Sequence, residues 1–182
     1  MIRYFSIVLA VTALVMGVNA FGDTTENDDE PATLPYAITA DEVLKQIAKR
    51  GPYPVLWEIF DRDAQWDQVV REIASGDPKW LKVAARFLTA SDAAASEDLR
   101  DALNDAIEKS PEIVLQMGFC GEPLYDPAVT PIEEVMEGIN RKIKAISNVK
   151  RCDLIKRRDE CMRSLRKSIQ EIREDYDAKN KK

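Results

Sequence analysis

The chain contains no histidine. Histidine is the usual neutral-pH base and the commonest zinc ligand, so its absence removes Ser-His-Asp and Cys-His catalysis and most zinc sites. Glycine is also scarce, with seven in 182 residues. No glycine-rich phosphate loop is spelled out, and Ser91 and Ser96 lack the flanking glycines of a nucleophile elbow. No segment sustains a period-2 alternation, and neither Asn-Gly nor Asp-Gly occurs, which argues against hairpins and sheets. After residue 20 no long apolar run appears, so a second membrane-length segment is lacking as well.

What is present begins at the N-terminus. Arg3 precedes an apolar run, Ile7 to Val18, broken only by Thr12 and Gly17, and Val18-Asn19-Ala20 places small residues where a signal peptidase reads. The reading is a secretory signal over residues 1–20, cleaved after Ala20, with no nearby cysteine to carry a lipid and hence no stable membrane anchor. Residues 21–37 are acidic and offer nothing to bury, which predicts a flexible leader. Residues 38–175 are expected to form one domain, and 176–182 a polar tail.

Charge is segregated along the chain. Residues 21–140 hold 10 basic and 25 acidic side chains, whereas residues 141–182 hold 15 basic and 7 acidic ones. Such a division can mark a surface for an oppositely charged partner; the ordinary reading is that the basic segment lies on its own acidic body or is simply solvated.

Helical spacing recurs throughout. Thr39-Ala40-Asp41-Glu42 has the form of a capping box, opening a helix with Val43, Leu44 and Ile47 inward and Gly51 at its end. Further helices are predicted from about Pro54, from Asp61 or Asp63 to Gly76, from the cap-proline pair Asp77-Pro78, across the alanine-rich stretch Ser91 to Lys109, and from a second cap-proline pair, Ser110-Pro111. The Pro/Gly-containing stretch Phe119 to Thr130 reads as an ordered loop. Thr130-Pro131-Ile132-Glu133 reads as another capping box. Last comes a long helix from about Val149 to Asp175 with the narrow apolar stripe Leu154, Cys161, Leu165, Ile169 and Ile172. The expected fold is all-α, a helical-bundle-like domain of about seven to eight helices.

Export makes a disulfide available to Cys120, Cys152 and Cys161. If Cys152 and Cys161 share the last helix, ~13.5 Å and about half a turn separate them, too far to bridge. Cys161 lies on the apolar stripe, so Cys120 to Cys161 is the favoured pair, with Cys152 left as a semi-buried thiol. Cys120 to Cys152 stays open should the last helix begin after Cys152.

No catalytic residue, cofactor or metal is nominated. Asp61 to Asp67 begins like a calcium loop, but Trp66 replaces the required glycine, and helix capping explains its acids. Carboxylate pairs for glycan hydrolysis can be drawn, such as Glu58 with Asp61 or Glu133 with Glu134, but capping and solvated helix faces account for them equally well. Tyr53, Trp57 and Phe60 form an aromatic row on a helix apolar on more than one side, either core or contact surface.

The segment from Trp57 to Arg166 resembles an uncharacterised family of small exported, periplasmic helical proteins of Gram-negative bacteria. Gly76-Asp77-Pro78-x-Trp80-Leu81, Ser91-Asp92-Ala93 with Ser96 and Leu99, Pro111 with Val114-Leu115, Cys120, and Arg158-Asp159-x-Cys161 carry the likeness. It implies a periplasmic location and supports the Cys120 to Cys161 pairing; Cys152 departs from the pattern, and no catalytic residue travels with it. The leading expectation is a non-enzymatic protein binding a periplasmic protein or envelope component, as an adaptor, inhibitor or immunity-type factor, with no nucleic-acid role. Its candidate contacts are Trp57, Arg157, Arg163, Arg166 and Lys167. The alternative expectation is a peptidoglycan hydrolase using acidic residues.

Overall fold

The computed structural model describes residues 38–121 and 130–180. The expected signal, the acidic leader and most of the Phe119 to Thr130 loop lie outside the described residues. Within them the chain is all-α, with eight α-helices, one 3-10 turn and no strand: α1 (Ala40–Arg50), α2 (Pro52–Phe60), α3 (Asp63–Ala74), α4 (Pro78–Phe87), α5 (Ala93–Ala106), α6 (Pro111–Gln116), α7 (Ile132–Ser147), the turn Cys152–Leu154, and α8 (Ile155–Asn180).

Local chemistry sets most of the starts. Thr39 Oγ1 accepts from the Glu42 amide at the head of α1, and Asp77 Oδ1 accepts from the Lys79 and Trp80 amides at the head of α4, with Pro78 in the first turn. Each bond satisfies a donor that has no partner inside the helix. Gly51 ends α1 by donating to the Ile47 carbonyl and is followed at once by Pro52 of α2, two residues before the expected start.

Two expected caps are not formed. Ser110 precedes Pro111 as anticipated but makes no side-chain cap on α6; its hydroxyl donates to the Gly76 carbonyl at 2.6 Å, while Lys109 Nζ donates to the Ala74 carbonyl at 2.6 Å. The junction between α5 and α6 thus satisfies the open carbonyl end of α3. Gly76 has φ of 80°, and a Cβ there would lie 2.9 Å from Lys109 Cβ, so both its backbone angle and the docked junction require glycine. At Thr130 the predicted box also fails: α7 begins at Ile132 behind Pro131, with no side-chain cap.

The end of the chain is corrected in two respects. Arg151 is extended, so the segment after α7 makes a 3-10 turn over Cys152–Leu154 before α8 starts at Ile155 rather than near Val149. The helix then runs to Asn180, so residues 176–180 of the expected tail are helical.

One apolar cluster spans all eight helices. Helix α4 is covered by α1, α2, α3 and α6, which buries Trp80, Val83 and Phe87 as well as the expected Leu81 and Ala84, and leaves Leu88 half-buried at the helix end. Helix α5 lies along α3, where Ala95, Ala102 and Ala106 are buried and keep the approach close. Helices α7 and α8 pack against each other as a hairpin, and α6 joins them to the rest. The α8 stripe is as expected at Cys161, Leu165 and Ile172, with Ile169 partly buried. Among the described residues no helix is long and apolar enough to cross a membrane.

Candidate functional site

Cys120 and Cys161 form the disulfide, with Cα atoms 5.1 Å apart. The condition under which Cys152 competes for Cys120 is met, because α8 begins after it, yet burial decides for Cys161. Cys161 is fully buried on the face of α8 that packs inward, whereas Cys152 is an exposed thiol rather than the semi-buried one expected. The bridge ties the segment after α6 to the second turn of α8.

The five candidate contacts are not equivalent. Arg163, Arg166 and Lys167 are exposed on α8. Lys167 pairs with Glu171 one turn later, which raises its pKa, while Arg163 and Arg166 have no ion-pair partner among the described residues. The other ion pairs of α8, Lys156 with Glu160 and Arg158 with Asp159, also stay within the helix. The basic side chains of α8 therefore form no ion pair with the acidic body among the described residues; within the basic segment it is Arg141 of α7 that reaches the body, at Glu108. Arg157 is held, its Nη1 donating to the carbonyls of Leu115 at 2.7 Å and Gln116 at 3.1 Å, where it satisfies the end of α6. Trp57 is half-buried and sits between Tyr53 and Phe60 in edge-to-face contacts with centroids 6.0 and 5.2 Å away; Phe60 continues the row to Trp66 at 5.1 Å. Tyr53, at 62 % exposure, is the open end of that row.

The nominated carboxylates lack the setting of an acid catalyst. Glu58 is clamped by Arg50 at 2.7 Å and Arg62 at 3.4 Å. Asp61 caps the end of α2, and Glu133 and Glu134 are exposed neighbours in the first turn of α7, pointing apart. Asp63 and Asp67 lie on α3 rather than in a loop, and among the described residues no group of three or more metal-ligating side chains converges.

A cleft that sequence reasoning missed runs beside α5. It consists of two hollows of about 370 and 460 Å³ that share Ser96, Arg100 and Phe119. The first continues along Glu97, Asp101 and Asn104; the second passes Met117, Gly121, the Cys120 end of the disulfide and Ser164 of α8. Its floor is polar. Asn104 is 6 % exposed, and its Oδ1 accepts from Lys142 Nζ of α7 at 2.8 Å, while its amide nitrogen has no acceptor among the described residues. Burial lowers the pKa of Lys142, against the opposing pull of Asp105 and Glu108. Burial also raises that of Asp101, and the neighbouring Glu97, Asp98 and Asp105 add to the rise. Gly121 closes the turn over Asn104: at its φ of 78° a Cβ would lie 2.8 Å from Ile107 Cδ1 and 2.9 Å from Asn104 Oδ1.

The signal for this cleft was in the sequence. Ser96, Glu97, Arg100, Asp101 and Asn104 form one polar face of α5, opposite Leu99, Ala102, Leu103 and Ala106. A polar helix face reads as solvated unless a second wall stands against it, and that wall, Met117 to Gly121, is placed by the disulfide and α6. The comparisons with known proteins add no neighbour: no family model, no curated protein and no solved structure matches the chain.

Proposed function

We propose that this is an exported, periplasmic, non-enzymatic protein that binds another macromolecule through the outer face of α8, in the manner of an adaptor, inhibitor or immunity-type factor. The observation that carries the reading is the pair Arg163 and Arg166, two exposed guanidiniums with no ion-pair partner among the described residues, on a helix pinned by a disulfide. A rigid helix presenting unpaired arginines loses little entropy on docking, and arginine is favoured where planar acidic groups are met. Lys167 extends the face, Arg157 fixes its base to α6, and Trp57 belongs to a separate aromatic surface on α2. The signal-like N-terminus, the disulfide and the resemblance to small exported proteins support the location.

Affinity capture from a periplasmic extract tests this with immobilised wild-type protein and the double variant Arg163→Glu/Arg166→Glu. A protein or envelope component retained by the wild type and lost from the variant is expected. Recovery of the same material by both, or of nothing by either, ends the proposal.

A further inference from the structure

We propose that the cleft between α5 and the Met117–Gly121 turn is a binding site for a neutral oligosaccharide. An anionic ligand entering the cleft faces Glu97 and Asp101, and a cationic one faces Arg100; like charges in close apposition cost binding energy. A ligand that both donates and accepts hydrogen bonds all along its length, with no net charge, meets neither penalty. Sugar hydroxyls have that character, each one a donor and an acceptor.

The individual groups agree. Arg100 is exposed, forms no ion pair among the described residues and lines both hollows, so its donors are uncommitted. Asn104 is more than nine-tenths buried; Lys142 has taken its oxygen, and its amide donor is left for whatever occupies the cleft. At the cleft a ligand oxygen would take the place of water on that nitrogen. Ser96 bonds Ser91 hydroxyl to hydroxyl at 2.6 Å, keeping an orientable hydroxyl at the first turn of α5. Phe119 stands where the two hollows meet, an apolar ring for the C–H face of a sugar. The hollows lie within the range of ~300–1,000 Å³ typical of ligand sites, and the α5 wall from Ala93 to Asn104 spans about 16 Å, which favours a chain of linked rings over a single one.

This site is separate from the α8 face, and the test keeps the two apart. The full-length, disulfide-bonded protein is titrated with cello-, malto- and chito-oligosaccharides by calorimetry, with backbone NMR shifts recorded in parallel. At least one should bind with Kd of ~1 mM or tighter and shift the Phe119 and α5 amide signals. Arg100→Ala and Glu97→Gln, both exposed changes that leave the core intact, should each weaken it by about tenfold, the value of one hydrogen bond to a charged group. Arg163→Glu/Arg166→Glu should leave it unchanged. Absence of binding across the panel, affinity indifferent to both cleft variants, affinity lost with the α8 variant, or binding of short peptides in place of sugars each overturns the proposal.

Discussion

The α1–α6 body and the α7–α8 hairpin are held by different means. In the body, α4 is wrapped by four helices and the large buried side chains Leu56, Ile59, Ile73, Leu81, Phe87, Leu99 and Leu103 meet there. The hairpin adds Val135, Ile139, Ile146, Leu165 and Ile172 to the same cluster, but its attachments are also covalent and polar: the Cys120–Cys161 bridge, Arg157 on the α6 carbonyls, Lys142 on Asn104, and Arg141 on Glu108. Past Ile172 the side chains of α8 through Lys179 are exposed. A helix with a narrow apolar stripe gains too little from burial alone to be held in one place, so directional contacts supply the rest. The cleft lies along this seam, with α5 on one side and the disulfide-linked turn on the other.

The severest test removes the body's centre. Phe87→Ala should cost about 3–5 kcal/mol, read from chemical denaturation, and should release amide protection in both regions together because they share one core. If the hairpin kept its protection while the body exchanged, the single-core description would be wrong.

The paired change Cys120→Ala/Cys161→Ala acts on the seam. Opening a loop with a sequence separation of 41 should lower stability by about 3–4 kcal/mol in the chain-entropy view. Hydrogen exchange should show α7 and α8 loosened before α3 and α4. A uniform loss across all helices would erase the distinction between the two regions.

The smallest effect is expected at Asp101→Asn. The folded protein holds the Asp101 carboxyl above its ordinary pKa, through burial first and its acidic neighbours second. For an acid with a raised folded pKa, the protonated form favours folding at low pH, and that contribution is lost as pH rises through the folded value. The ionised carboxylate is thus a slight burden at neutral pH, so Asn should stabilise there and be neutral under acid conditions. Solvent reaches the group, and screening keeps the gain at ~0.3 kcal/mol. Thermal melts across pH check the sign, and a variant less stable at neutral pH would mean that Asp101 has a stabilising partner at the seam.

Much of this was readable from residue order, and the physical reason separates what was from what was not. Helix identity follows from spacing, because apolar residues three and four apart share a face in any helix; the caps at Thr39 and Asp77 follow because a side chain and the amides it serves are neighbours in sequence. The same local logic placed Cys161 on the inward stripe and Cys152 off it. It misjudged Ser110, which had a distant carbonyl to serve, and Cys152, which lies in a 3-10 turn exposed to solvent. Phe87 escaped because α4 is covered by four helices, and a single helix face does not describe such burial.

Sequence order alone was enough for the all-α fold, the favoured cysteine pair and the segregation of charge, since each depends on composition or short-range spacing. Tertiary packing was required for the rest. It left Arg163 and Arg166 without an ion-pair partner among the described residues while committing Arg157 to α6, and set the turn at Phe119 against the polar face of α5. Those outcomes depend on which surfaces meet, and a meeting between residues far apart along the chain leaves no trace in the spacing of either.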